Sequence, residues 1–433
     1  MIALAADRPP RVAISALGCK VNYAEMADLA GRLAGLGCEV VAEDEPADVR
    51  ILNSCAVTLE ADATTRQRLR RLRRRDPGCH LILTGCSVDA NPDRYLSVRG
   101  DGRPAAAGLD AVFRNSEKSL IADHVAALAA RVGGLPRPLP PPGLRSRAFL
   151  KVQDGCDHRC TYCVVWRARG ASRSIPEEAV LARARAAVAA GHAEVVLTGV
   201  DLGSYGRDRG SDLAGLVRRL LDGLDGEARI RLSSINANDI TDRLIELNRD
   251  PRLCSHWHIP LQSGSDRVLR EMHRGYRRQR YLRVAEGLRL QDPATELTTD
   301  VMVGFPGEIG EDHRATLDMI EQVGFLRCHV FRYSPRPQTA AASLPTGVDD
   351  ATARHRSAEV RWAAAASGRV RRRMAVGSRQ RVVWDVVSAG EAHGLSDGYH
   401  EVVAAAGPST RAGGLQTVLV TGVEGDLLRG VLC

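Results

Sequence analysis

The sequence predicts an α/β protein in three parts. These are an N-terminal doubly wound parallel sheet over residues 1–130, a central (βα) partial or full barrel over 148–370, and a small all-β module over 371–433. Three observations predict this. Short apolar runs alternate with helical patterns of roughly 10–15 residues, which is the signature of βαβ units. The run LPRPLPPP at 135–142 breaks the alternation and marks a polyproline-like linker, placed at 131–147. After Pro335 one long helical segment leads into short alternating strands separated by glycine turns.

In the first part, Arg11–Leu17, Asp48–Leu52 and His80–Thr84 read as strands. Helical patterns run from about Tyr23 to Leu36 and Glu60 to Arg75, stopped by Gly37 and by Pro77-Gly78. The barrel strands are expected at Ala148–Val152, Glu194–Thr198, Ile230–Ser233, His256–Ile259, Leu297–Val303 and Cys328–Phe331. In the third part a helix over 351–373 precedes strands at Gln380–Val387, Tyr399–Ala404, Leu415–Thr421 and Leu427–Leu432.

No apolar run approaches the ~18 residues of a membrane span, and Met1–Arg11 has no signal-peptide core. A cytoplasmic protein without a membrane partner is expected. The formal charge of +8 favours an acidic partner such as nucleic acid. Of 60 basic residues only Lys20, Lys118 and Lys151 are lysine, a ratio that reads as the coding bias of a GC-rich genome. The 11 cysteines are an odd number, and in a reducing compartment thiols bind metal or react more often than they pair.

Cys156, Cys160 and Cys163 follow the first barrel strand in GCDHRCTYC. Three thiolates within eight residues can grip one cluster of four irons and leave one iron open for a ligand. Asp157 and His158 offer fourth ligands, so a zinc knuckle is the alternative. A second triad follows from topology. Cys19, Cys55 and Cys86 each stand one to three residues beyond a predicted strand, and a doubly wound sheet brings such positions to one edge. Three buried core thiols are the alternative there. Cys38, Cys79, Cys254, Cys328 and Cys433 have no such context.

The loop of three cysteines resembles that of the radical S-adenosylmethionine (radical SAM) enzymes. The resemblance implies a [4Fe–4S] cluster whose open iron chelates S-adenosylmethionine, reductive cleavage to a 5′-deoxyadenosyl radical, and packing of Tyr162 near the adenine. With the second triad, the chain resembles the methylthiotransferases over nearly its whole length. The motifs are Leu17–Asn22, Asn53–Thr58, Thr84–Cys86, Leu197–Gly206, Ile259–Ser265 and Asp300–Glu308. Gly394–Tyr399 and Glu424–Leu427 resemble the TRAM module, an RNA-binding β-barrel. GCKVN, NSCAVT, LTGVDLGSYG and HVFRYSPRPQT resemble the branch that modifies threonylcarbamoyladenosine (t6A) in tRNA, whereas the isopentenyladenosine branch has GCQMN-like and NTCSIRE-like motifs. Three departures stand out: Trp166 and Arg167 replace Pro-Tyr, Asp201 replaces Asn, and Ile309 replaces Thr.

The resemblance implies two [4Fe–4S] clusters, S-adenosylmethionine, the tRNA anticodon arm, a sulfur source and an electron donor. One S-adenosylmethionine would methylate sulfur at the cluster of Cys19, Cys55 and Cys86. A second would be cleaved at the cluster of Cys156, Cys160 and Cys163 to activate C2 of an adenine. Rivals are a methylthiotransferase for another tRNA base or for a ribosomal protein aspartate, and a non-catalytic zinc RNA-binding protein. Barrel geometry makes Gly199, Asp201, Ser233, Gln262 and Asp300 cofactor-pocket candidates, with turn or cap roles as the alternative. His256 and His258 share one strand face and read as core or supporting residues. Arg66–Arg75 is a dense basic stretch suited to RNA, with a solvated helix face as the alternative; Arg274–Arg278 suits substrate or cofactor contact; and Arg371–Arg373, leading into the terminal module, suits an RNA clamp.

Overall fold

The computed structural model describes residues 8–56, 58–98, 104, 106, 108–130, 146–336, 338–345 and 347–433; most of the proline-rich linker lies outside these residues. In the first part β1 (Arg11–Ala16), β2 (Glu39–Val41), β3 (Val49–Ser54), β4 (His80–Gly85) and β5 (Ala111–Phe113) form a parallel sheet in the order β2-β1-β3-β4-β5. This is one of the doubly wound orders. Strands β3 and β4 are buried at every residue, as parallel strands covered on both faces must be. Alternation splits them between two cores: Ile51 and Ile82 point one way, Leu52 and Leu83 the other. The edge strands β2 and β5, three residues each, were too short to show periodicity in the sequence. The helix Leu59–Arg75 is capped by Thr58, whose hydroxyl accepts from the Ala61 N–H at 3.1 Å.

The second part begins with β6 (Ala148–Asp154), β7 (Arg173–Ser174), β8 (Glu194–Gly199) and β9 (Arg229–Leu232), in the sheet order β7-β6-β8-β9. It continues with β10 (His256–His258), β11 (Glu296–Val303) and β12 (Arg327–Arg332), paired in parallel in that order. Single bridges, Ser234 to His258 and Ile230 to Leu253, join the two sheets. Among the described residues β12 does not pair with β6, so the six predicted strands make a partial barrel. Leu150, Val195, Ile230, Trp257, Leu297 and Val301 face one apolar core with the helices. The alternate residues, among them Lys151, Glu194, Arg231, His258, Asp300 and His329, therefore line the concave face.

A helix over Asp350–Met374 leads to a closed barrel of β13 (Arg379–Ser388), β14 (Glu391–Ser396), β15 (Glu401–Ala405), β16 (Leu415–Glu424) and β17 (Leu427–Leu432). Strand β14 escaped the sequence reading because Gly394 interrupts it. A Cβ there would meet the Trp384 side chain at 2.9 Å, so the glycine makes room for the core tryptophan. Two of the three arginines at 371–373 are structural: Arg371 pairs with Glu296 at 2.8 Å and Arg372 with Asp426 at 2.9 Å.

Buried charge clamps the three parts together. Glu194, with no exposed surface, is paired with Arg229 at 2.6 Å and Arg231 at 2.7 Å. These arginines also donate to the carbonyls of Leu395 (2.9 Å) and Ser396 (2.8 Å), seating the terminal barrel against the start of β9. Tyr399, held at φ 70°, stacks on His256 with ring centres 4.1 Å apart. On the other side Glu25 accepts from Arg169 at 2.5 Å, Lys151 at 2.8 Å and Lys118, joining the Lys20–Gly35 helix to the barrel. Arg336 donates to Asp62 and to the Ala56 carbonyl, both at 2.5 Å, and forms a second tie.

Removing one partner of a buried pair strands the other charge. Glu194→Gln is therefore expected to cost about 3 kcal/mol in urea unfolding and to expose the terminal barrel to proteolysis. Burial alone would push the Glu25 carboxyl up, but Arg169, Lys118 and Lys151 hold it well below the usual carboxylate range. Its contribution is thus complete above the unfolded value of about 4.3 and drains away as pH falls below it. The slope of unfolding free energy below about pH 4 should be shallower in Glu25→Gln than in the wild type. Equal slopes would show that Glu25 is not the titrating tie.

Candidate functional site

The chain leaves β6 at Asp154 and turns at Gly155, φ 76°, where any Cβ would overlap the Ala171 carbonyl. The loop that follows closes on itself through a bond from the Cys156 N–H to the Gly170 carbonyl at 3.0 Å. Gln153 knots its base, donating to the Gly155 carbonyl (2.8 Å) and to Ser172 (2.9 Å) while accepting from the Asp201 N–H (2.8 Å). Within the loop, N–H donors aim at sulfur. The Val165 N–H lies 3.4 Å from Cys163 Sγ, and Arg274 Nη1 lies 3.4 Å from Cys160 Sγ. Burial pushes the Cys163 thiol up to about 11, and Cys160 adds to the rise. A nearby cation relieves that cost. The donor set suits three thiolates on one metal–sulfur group.

The alternative zinc ligands are engaged elsewhere. Asp157 accepts from the Ser172 N–H at 3.2 Å. His158 Nε2 stands 3.4 Å from Asp201 and 3.5 Å from Asp239, which Arg207 also holds at 2.6 Å.

Cys19, Cys55 and Cys86 stand at the C-terminal ends of β1, β3 and β4, which are neighbours in the sheet. Gly18 packs against Cys55 Sγ with no room for a side chain between them. Cys86 Sγ accepts from Arg169 Nε at 3.2 Å and Asn115 Nδ2 at 3.7 Å. Arg169 and Cys86 also act electrostatically on Cys19. Arg169 belongs to the loop that carries the first triad, so the two triads meet across one seam. This set also suits thiolates around a metal–sulfur group, with Arg169 offsetting their charge. Of the remaining cysteines, Cys38 and Cys79 lie in the two cores of the first sheet, Cys254 and Cys328 are barrel residues, and Cys433 is exposed.

The other predicted pocket residues fall into groups. Gly199 and Asp201 stand beside Gln153, whose Oε1 would lie 2.7 Å from a Cβ at 199. Asp201 is buried, and Asn236 donates to it at 3.3 Å. Ser233, at the end of β9, is buried with no hydrogen-bond partner for its hydroxyl among the described residues. Gln262 adopts φ 61° and donates its N–H to the Asp300 carbonyl at 2.8 Å. The Asp300 carboxylate sits 3.3 Å from His258 Nε2. Tyr162, half-buried, packs against the cluster of Val268, Met272 and Phe305. His256 and His258 both bond Thr298 Oγ1, at 2.8 and 2.9 Å, which makes them supporting residues as expected.

Sequence reasoning missed the residues that act at long range. Arg169 carried a faint local signal, an arginine between Ala168 and Gly170 just past the cysteine loop; Glu25 carried none. Arg274 turns inward to Cys160 and Asn236 instead of outward. Trp166, a departure from the family pattern, is flanked by Arg159 and Arg167 at 5.5 and 4.8 Å from its ring centre. In the arginine-rich helix Arg73 is consumed by Asp110 and the carbonyls of Gly108, Pro77 and Cys79, and Arg68 by Glu43. Arg66, Arg70, Arg71 and Arg74 carry no ion pair among the described residues, leaving a smaller basic face than the sequence promised.

Comparison with known proteins bears on this geometry. Residues 150–320 match the model of the radical SAM superfamily, and 11–101 match the uncharacterized protein family UPF0004. The chain is 38% identical over 404 residues to the threonylcarbamoyladenosine tRNA methylthiotransferase MtaB of Thermotoga maritima, covering 90% of this chain and 89% of that one. It is 37% identical to MtaB of Bacillus subtilis, over 78% of this chain and 77% of the relative. Identity to the tRNA-2-methylthio-N(6)-dimethylallyladenosine synthase of Thermoanaerobacter sp. (strain X514) is 32%, over 79% of this chain and 75% of that one. Among solved structures, the radical S-adenosylmethionine methyltransferase TsrM of Kitasatospora setae shares the fold at a TM-score of 0.55 and 13% identity, over 77% of this chain and 75% of that one. Together with the two cysteine triads, these matches establish that the chain belongs to the radical SAM methylthiotransferase family.

Proposed function

We propose that this protein adds a methylthio group to C2 of N6-threonylcarbamoyladenosine in tRNA. The observation that carries the reading is the seam itself: the loop that carries Cys156, Cys160 and Cys163 packs Val164 and Ala168 against Cys86 and extends Arg169 to its sulfur. Cys156, Cys160 and Cys163 hold one [4Fe–4S] cluster in this reading, and Cys19, Cys55 and Cys86 the other. The clusters and S-adenosylmethionine supply the radical, electron-transfer and sulfur chemistry that an unactivated C2–H bond demands.

The chain's own residues bind and orient. Arg274 and Arg169 offset thiolate charge at Cys160 and Cys86. Gln153 sets the cysteine loop against Gly199 and Asp201, at the strand ends where cofactor binding collects in βα barrels. The free Ser233 hydroxyl, Gln262 and Asp300 continue that rim and, with Tyr162, are the S-adenosylmethionine contacts in this reading. Its substrate arm is the tRNA anticodon arm, where unpaired bases can be splayed into a pocket. Arg66, Arg70, Arg71 and Arg74 supply phosphate contacts, aided by the TRAM-like terminal barrel. Among the described residues no helix is long and apolar enough to cross a membrane. The reading places the enzyme in the cytoplasm, with an electron donor and a sulfur source drawn from there.

Replacing Cys19, Cys55 and Cys86 together by alanine tests the division of labour. After anaerobic reconstitution the variant is expected to bind about half the iron and sulfide of the wild type. It should still cleave S-adenosylmethionine reductively and form no methylthiolated nucleoside by mass spectrometry of its tRNA. Product from this variant would refute the role assigned to Cys19, Cys55 and Cys86, and zinc without sulfide in the wild type would refute the radical reading altogether.

A further inference from the structure

The chain keeps only three lysines among 60 basic residues, and all three sit at the seam or the concave face. Lys118 and Lys151 share Glu25. Lys20 opens the Lys20–Gly35 helix directly after Cys19, and its side chain enters the concave face of the barrel. Its ammonium lies 5.6 Å from the centre of the Tyr399 ring, the ring that also stacks on His256 and lies 5.4 Å from the Arg231 guanidinium. Its charge is felt by His256 and His329, whose imidazoles burial keeps neutral.

The carboxylates on this face are already committed. Glu194 is paired with Arg229 and Arg231 at 2.6 and 2.7 Å, and Asp300 faces His258 at 3.3 Å. Among the described residues Lys20 has no ion pair and no hydrogen bond of its own. An unpaired ammonium in a half-enclosed polar chamber calls for an anion. A compact ammonium on a thin stem also fits where the adjacent Arg231 already fills the space of a guanidinium.

The proposed substrate brings such an anion. Its N6 substituent is a threonine linked through a carbamoyl group, so it carries a free carboxylate beside the base to be modified. We propose that Lys20 receives this carboxylate and is thereby the specificity-determining residue for the threonylcarbamoyl group. The inference rests on the function proposed above.

The test uses the full-length, anaerobically reconstituted enzyme and three anticodon stem-loops. One carries t6A, one the methyl ester of t6A, which is neutral, and one plain adenosine. In fluorescence anisotropy the wild type is expected to bind the t6A stem-loop about tenfold tighter than the ester. Lys20→Gln should bind both equally, and Lys20→Arg should recover most of the preference. Iron per chain, counted for each variant, should match the wild type. A Lys20→Gln enzyme that keeps the full preference would overturn the assignment. So would a wild type that binds the ester as tightly as t6A while still methylthiolating t6A tRNA. A wild type that forms no product on t6A tRNA but acts on another base would instead overturn the function reading, and this inference with it.

Discussion

A buried carboxylate that gathers three cations from three places in the chain governs the architecture. Glu25 lies on the Lys20–Gly35 helix, Lys118 follows β5, Lys151 is on β6, and Arg169 is on the cysteine loop. Bringing four charges out of water is costly, and only close, mutually satisfying geometry recovers that cost. The arrangement therefore tolerates little slack. Because Arg169 reaches on to Cys86, the bonds that join the sheets also touch one of the clustered sulfurs. Stability and chemistry share one set of bonds here.

The opposite end of the barrel is organised by the same kind of interaction. Glu194 with Arg229 and Arg231 forms a buried trio that offers N–H groups to the Leu395 and Ser396 carbonyls. The loop so captured delivers Tyr399 onto His256. The terminal barrel is thus part of the wall of the chamber.

Much of this was legible in the sequence because it is local. Strand alternation, the C-x3-C-x2-C spacing and the placement of Cys19, Cys55 and Cys86 just past strands all follow from short-range pattern, and the six barrel strands fall where alternation puts them. The rest depends on contacts between residues far apart in the chain. Nothing near Glu25 announces three cationic partners, all of them more than 90 residues away. The arginine-rich helix misled in the same way. A run of like charges reads as a binding face until tertiary structure shows Arg73 bound to carbonyls and to Asp110. Edge strands of three residues carry too little pattern to be read at all.

The lysine count has a chemical consequence. The ε-amines of Lys118 and Lys151 are tucked against Glu25, and that of Lys20 faces the chamber. The outer surface, though strongly basic, is basic through guanidinium groups, which acylating reagents leave alone near neutral pH. Lysine-directed acylation, whether by a laboratory reagent or by metabolic acyl donors, finds its side-chain targets only at the joints and the active chamber. Such an agent would behave toward this protein as an inhibitor before it behaved as a label.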